Sequence, residues 1–263
     1  MNEERFTGKA EIYKKFRPSY PNELIDFLYS EVGFHENSVI ADIGAGTGIF
    51  SRLMLERGCK VYCVEPNDDM RETLINELSS FSNFTPVSGN DVNTGLNENS
   101  LDFVTVAQAF HWFDLDAFKI ECQRILKPGG KVVIVWNERD YKPSHKDANS
   151  EIVMKDYEIR QKYATGDKKG LKVPKTESSI HYSDFFADGV YEQRIFRNDL
   201  ILDCEKYIGR NLSASYAPKE EIDSDGYHGF VQEMKDFFAK YSVDGILIYP
   251  HFTSCYVGYV KKP

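Results

Sequence analysis

The run Val39-Ile40-Ala41-Asp42-Ile43-Gly44-Ala45-Gly46-Thr47-Gly48 constrains this chain more than any other stretch. An apolar segment ends in alternating glycines. Phe50, Leu53, Met54 and Arg57 then follow at helical spacing, stopped by Gly58. Strand, tight turn and helix in that order open a parallel sheet, since parallel strands need a crossover that is usually a helix. The pattern repeats downstream. Residues 60–64 read as a second strand, and 68–81 as a helix with Asp68 and Asp69 in its first turn, where the dipole favours acids. A weaker strand follows at 85–88, a clear one at 101–107, a helix at 115–126 and a β-branched strand at 131–136. Upstream, residues 21–32 carry Leu24, Phe27, Leu28 and Val32 at helical spacing, with Pro21 suited to the first turn. Five strands separated by helices predict an α/β fold with a doubly wound, mostly parallel sheet whose strands are apolar throughout.

After Trp136 the rhythm changes. Residues 137–183 are charge-rich, with one helix predicted near 148–163 and a loop at 165–170. A strand is predicted at 191–197 and helices near 203–210 and 227–241. Two late strands, 245–250 and 253–261, are expected to pair as a hairpin at the sheet edge. Residues 137–187 hold too few apolar side chains for a core of their own and read as an insertion over the sheet.

Composition narrows the partners. Lys and Arg number 32 against 41 Asp and Glu, a net charge of −9, so the chain lacks the positive field that nucleic acid requires. No apolar run approaches membrane-spanning length, and the N-terminus lacks the apolar stretch of a secretory signal. The five cysteines are scattered without a Cys-x-x-Cys pair, which argues against a disulfide framework and a zinc cluster. The expectation is a cytoplasmic protein without membrane, nucleic-acid or metal partners; oligomeric state is not readable.

The glycine turn carries the chemistry. Glycines let backbone approach a ligand where a Cβ would collide, and Glu65, ending the second strand, stands where an acid can accept both hydroxyls of a ribose. Spacing separates two cofactors. A nicotinamide site wants Gly-x-Gly-x-x-Gly, but three residues after Gly46 stands Ile49. The pattern is Asp-x-Gly-x-Gly-x-Gly, and an acid such as Asp42 is favourable beside a sulfonium and amino group, not beside a pyrophosphate. S-adenosyl-L-methionine is therefore the expected cofactor.

With Cys63-Val64-Glu65-Pro66-Asn67, Val87-Ser88-Gly89-Asn90-Asp91 and Arg124-Ile125-Leu126-Lys127-Pro128-Gly129-Gly130, the chain resembles class I S-adenosylmethionine-dependent methyltransferases over about residues 6–140. Arg17-Pro18-Ser19-Tyr20-Pro21, Gln108-Ala109-Phe110-His111-Trp112-Phe113 and Trp136-Asn137-Glu138-Arg139-Asp140 are similar to the small-molecule group with trans-aconitate and cantharidic-acid methyltransferases. The resemblance implies a seven-stranded sheet with an antiparallel strand near the C-terminal edge and an inserted helical lid after the fifth strand. It implies one domain over 1–263. Residues 1–35 would cover the cofactor, 36–136 bind it, 137–187 form the lid, and 188–263 supply acceptor-side helices and the last strands. Gly44, Ala45, Gly46 and Gly48 would line the methionine and ribose, and Glu65 would hold the ribose hydroxyls. Pro66, Asn67 and Met70 would flank ribose and adenine. Asn90, Asp91 and Val92 would meet the adenine, with the family's acid displaced by one position. Ala107, Gln108, Ala109 and Trp112 would hold the methionine end, with Tyr13, Arg17 and Tyr20 folding over it, Arg17 toward the carboxylate.

The reaction implied is methyl transfer to an oxygen of a small molecule, above all a carboxylate, which needs no general base. For a hydroxyl or amine acceptor His111 is the candidate base, its other reading being a shelf for the cofactor. Trp112 and Phe110 read either as an aromatic wall near the sulfonium or as core. His181, His228 and His251 lack ligand spacing. Lys168, Lys169, Lys172 and Lys175 could attract an anionic acceptor or form a solvated loop, and Tyr216, after Ser213 and Ser215, could line its pocket. Transfer to nitrogen or carbon, and a silent cofactor-binding protein, remain as alternatives.

Overall fold

The computed structural model describes residues 16–139, 150–164, 181–214 and 217–261. Tyr13, Lys168, Lys169, Lys172, Lys175, Ser215 and Tyr216 lie outside the described residues.

Strand β1 (Val39–Ile43) pairs in parallel with β2 (Lys60–Val64) on one side and β4 (Leu101–Ala107) on the other. Beyond β2 lies β3 (Phe84–Val87), and beyond β4 lies β5 (Leu126–Arg139), both parallel. Two antiparallel strands complete the sheet: β9 (His251–Gly258) beside β5, and β6 (Tyr191–Arg197) outside it. The order of this seven-stranded sheet is β3-β2-β1-β4-β5-β9-β6. The fold is thus the doubly wound, mostly parallel sheet that the strand–helix rhythm predicts, and its order reverses between β1 and β4, where such sheets hold ligands.

Each face carries its own core. On one, Ile40, Val61, Val133 and Val135 meet α1 (Asn22–Phe27), α2 (Ile49–Leu55) and α3 (Asp68–Leu78) through Leu24, Phe50, Met54 and Leu74. On the other, Ala41, Val104, Ile134 and Trp136 meet α4 (Leu115–Ile125) and α6 (Tyr182–Phe185). Helix α1 runs on as a π-helical turn, Leu28–Val32, ended by Gly33.

The late strands depart from the expected hairpin. β8 (Leu247–Tyr249) pairs with β7 (Leu200–Leu202) in a separate two-stranded sheet, while β9 enters the main sheet between β5 and β6. Pro250 stands between β8 and β9 and cannot donate to a ladder. Burial agrees with the parting: β8 covers one face only, whereas nearly all of β9 is buried, as a strand flanked on both sides must be. The sheet edge belongs to β6, whose exposed Glu192, Arg194 and Arg197 discourage further strand pairing.

A third core lies away from the sheet. Helix α5 (Ser150–Tyr163), α7 (Cys204–Leu212) and α8 (Ser224–Tyr241) share Val153, Tyr207, Phe230, Met234 and Phe237 with Leu247 and Tyr249 of β8. Of the helices described between 137 and 187, α5 joins this helical core and α6 joins the sheet. No helix among the described residues is long and apolar enough to cross a membrane.

Candidate functional site

The turn after β1 is anchored from below. The N–H groups of Gly44 and Ala45 both donate to the Val64 carbonyl, at 2.9 and 3.2 Å. Gly46 has φ 57°, and a Cβ built there meets nothing within 4 Å, so the turn is open above this residue. Gly48, at φ 84°, differs: its Cβ would lie 2.6 Å from Leu74 and 2.7 Å from Leu78. It is absent of side chain so that α3 can close on the turn, and it lines packing instead of open space. Gly44 abuts Ala109 of the loop after β4. Between the glycines Thr47 is buried, and its Oγ1 has no partner among the described residues.

Glu65, at the end of β2, reaches across to this turn. Its Oε2 accepts the Gly46 N–H at 2.8 Å and its Oε1 accepts the Asn67 N–H at 2.9 Å. Asn67 is the N-cap of α3, its Oδ1 accepting the Met70 N–H at 3.0 Å. The Asn67 side chain and the buried Met70 thus fix the helix start, and Pro66 is half-buried beside them.

Asp42 corrects the expectation of an acid facing a cationic ligand. Its Oδ1 accepts Thr105 Oγ1 at 2.8 Å and its Oδ2 accepts Ser51 Oγ at 2.5 Å, so it stitches β1 to β4 and α2 beneath the turn. Only 1% of its surface is exposed. Burial pushes its carboxyl up to about 6 against the two hydroxyls, with the Glu65 charge adding to the rise.

The loop after β3 uses its own polar groups. Asn90 Oδ1 accepts the N–H groups of Val92 and Asn93, at 3.1 and 2.9 Å. Asp91 Oδ2 accepts the Asp114 N–H at 2.9 Å, linking this loop to the cap of α4. Val92 is exposed.

After β4 the chain turns sharply. Ala107 pairs with Val135, and Gln108, at φ 63°, donates its N–H to the Val135 carbonyl and its Nε2 to the Asn137 carbonyl. Phe110 is fully buried against Phe118, Tyr182 and Phe185, which settles it as core. His111 is exposed, its ring 4.5 Å from the half-buried Trp112 and 5.3 Å from Trp136. Trp136 itself is 4% exposed, and its Nε1 has no partner among the described residues. Next to it, Asn137 Nδ2 donates to the Pro18 and Ser19 carbonyls, while its Oδ1 accepts Thr253 Oγ1 at 2.6 Å and Asn198 Nδ2 at 3.4 Å. Asn137 so fastens the N-terminal segment to the strand ends. In that segment Arg17 is half-buried and Tyr20 packs edge-on against Phe50, 4.9 Å between centroids.

The turn, Glu65, Asn67, Met70 and the 107–112 loop therefore gather at the carboxyl ends of β1, β2 and β4. Asn90 and Asp91 are drawn into loop bonds, and Gly48 into packing. Thr47 and Trp136 carry polar atoms without partners among the described residues, which sequence patterns give no sign of, because satisfaction is a property of the folded neighbourhood. Elsewhere, His228 lies 3.4 Å from Glu220 at the surface, His251 is buried at the start of β9, and Ser213 Oγ donates to the Arg210 carbonyl. Among the described residues no group of three or more His, Cys, Asp or Glu could hold a metal ion.

Residues 41–134, which span β1 to β5, match the family model of a methyltransferase domain. An uncharacterised methyltransferase of Mycobacterium bovis is 36% identical over 135 residues, 51% of this chain and 53% of that protein. An uncharacterised methyltransferase-like protein of Schizosaccharomyces pombe is 35% identical over 129 residues, 49% of each chain. The chain thus spans about half the length of the curated relatives it matches. Among solved structures, a provisionally named type II methyltransferase from Anaeromyxobacter dehalogenans superposes with TM-score 0.62 at 19% identity, covering 94% of this chain and all of that one. Phosphoethanolamine N-methyltransferase 2 of Haemonchus contortus, solved with phosphomonomethylethanolamine and S-adenosylhomocysteine, gives TM-score 0.51 at 18% identity, covering 95% of this chain and 56% of that one. These two share the fold.

Proposed function

We propose that this chain is an S-adenosylmethionine-dependent methyltransferase that methylates an oxygen, by preference a carboxylate oxygen, of a small molecule in the cytoplasm. The observation that carries the reading is the pairing of Glu65 with the open turn at Gly46. The residues fit the cofactor. The open side of Gly46 leaves room for a ligand against the backbone, and the Glu65 carboxylate is held beside it by the Gly46 and Asn67 N–H groups, at the strand end where an acid can accept ribose hydroxyls. The methyltransferase match over 41–134 supports the same reading.

When bound, S-adenosylmethionine supplies an electrophilic methyl group on a sulfonium sulfur. The protein's part is then orientation and dryness, because charge disperses as the methyl moves. Glu65 would hold the ribose, Gly44 to Gly46 the methionine and ribose, and Pro66, Asn67 and Met70 the adenine side. Ala107 to Ala109, Trp112 and Arg17 would border the methionine end. Gly48 would act from beneath, through packing, and Asn90, Asp91 and Val92 would shape the adenine loop. For a carboxylate acceptor His111 serves as a wall beside the reacting groups; for a hydroxyl it is placed to take the proton. The likeness of 108–113 to the trans-aconitate and cantharidic-acid group favours small acids.

Calorimetric titration with S-adenosylhomocysteine tests this. Micromolar binding is expected in the unsubstituted protein. Gly46→Arg fills the open side and should abolish it. Glu65→Ala removes two charge-assisted hydrogen bonds and should weaken it by about tenfold or more. A folded protein that binds none overturns the reading.

A further inference from the structure

We propose that the Trp136 indole N–H donates a hydrogen bond to a non-reacting oxygen of the methyl acceptor, an inference that rests on the methyltransferase reading above. Trp136 stands one residue beyond Val135, which pairs with Ala107, so it flanks the loop that carries His111. Its ring lies 5.3 Å from the His111 imidazole at 40°. This is the carboxyl end of β5, two strands from β1 and next to β4, where an acceptor would approach a cofactor seated on the β1 turn.

The indole N–H is the anomaly. Trp136 is 4% exposed, and its Nε1 has no partner among the described residues. A buried donor left unpaired is destabilising, and buried Trp N–H groups usually find a partner. Phenylalanine would fill much of the same apolar space, among Phe110, Tyr182 and Tyr256, without that cost. Its neighbour shows the contrast: both polar atoms of the Asn137 side chain, and its carbonyl, are engaged by Pro18, Ser19, Thr253, Asn198 and Gln108. At this strand end the fold satisfies what serves structure and leaves the Trp136 donor over.

The donor also specifies its complement. An indole N–H only donates, so it takes a lone pair from a carboxylate or carbonyl oxygen and offers nothing to an ammonium group. One carboxylate oxygen would be held by Trp136 while the other faces the methyl group. Trp136 is then a specificity residue that selects acids over amines of the same size.

The chain has two tryptophans, so the ¹⁵N-labelled protein gives two indole cross-peaks, assigned with Trp136→Phe or, should that variant fail to fold, Trp112→Phe. The labelled protein is saturated with S-adenosylhomocysteine and titrated with succinate, glutarate and benzoate, and with 1,4-diaminobutane as the cationic control. The expected result is a downfield shift of the Trp136 indole proton with at least one acid and none with the diamine. In Trp136→Phe that acid should bind about tenfold more weakly while S-adenosylhomocysteine affinity changes by less than about twofold. A Trp136 resonance that ignores every acid, or follows the diamine, overturns the proposal, as does undiminished acid binding in a folded Trp136→Phe. Failure to bind S-adenosylhomocysteine at all strikes instead at the methyltransferase reading beneath it.

Discussion

Asp42 is placed by the sequence at the mouth of a glycine turn, yet its carboxyl faces inward to Ser51 and Thr105. Only the direction of the side chain separates an acid that meets a ligand from one that ties strands together, and strand alternation next to a turn does not declare it. The same holds for the glycines. Gly46 and Gly48 look equivalent in the motif, but one is open and the other is filled by Leu74 and Leu78. The buried Asp42 has a testable signature. Its carboxyl is raised from an ordinary 3.8 to about 6, so the folded state binds its proton more tightly than the unfolded chain does. Stability attributable to Asp42 is therefore full below about pH 4 and falls as pH rises through about 6, by up to about 3 kcal/mol. Asp42→Asn removes the titration. Urea unfolding across that window should show the unsubstituted protein losing stability relative to the variant as pH rises; parallel pH profiles would contradict the assignment.

Besides its apolar contacts, helix α5 meets the rest of the cap at one buried carboxylate. Asp156 accepts Tyr207 Oη and Tyr249 Oη at 2.7 Å each and Arg160 Nε at 2.9 Å, so α5, α7 and β8 converge on a single side chain. Neither Asp156 nor Arg160 is more than 4% exposed. Asp156→Ala leaves a buried guanidinium and two phenols short of their acceptor and should cost about 3–5 kcal/mol. Hydrogen exchange should place the loss in α5 and α7 before the central strands; uniform loss across β1 and β4 would show that the cap and sheet do not separate. The elements themselves were largely readable: β2, β4 and β6 occur with the predicted bounds, and most helices differ only at their ends. What could not be read was partnership. The short apolar runs 245–250 and 253–261 show two strands but not that Pro250 sends them to different sheets, because pairing between distant strands leaves no local periodicity.

Across the molecule, Asn137 is where four separate stretches of chain meet: the 18–19 backbone, the end of β5, β9, and the residue after β6. If the N-terminal segment covers the cofactor as proposed, Asn137 governs how firmly that cover stays shut. Asn137→Ala, losing hydrogen bonds worth about 1 kcal/mol each, should raise the S-adenosylhomocysteine dissociation rate by about five- to tenfold in stopped flow. An unchanged rate would detach the segment from the site. The sequence showed Asn137 only as a neighbour of Trp136, since its role lies in contacts more than a hundred residues apart.

The strand order carries a further consequence, for how the chain is made. β9 is the last described strand to leave the ribosome, yet it is the one inserted between β5 and β6. While the residues between β5 and β9 are being added, the nascent polypeptide holds β1 to β5 with an unfilled outer edge, and β6 waits without a neighbour. The sheet cannot close until β9 has been made, and the interval before that is when this chain most needs shielding from its own copies.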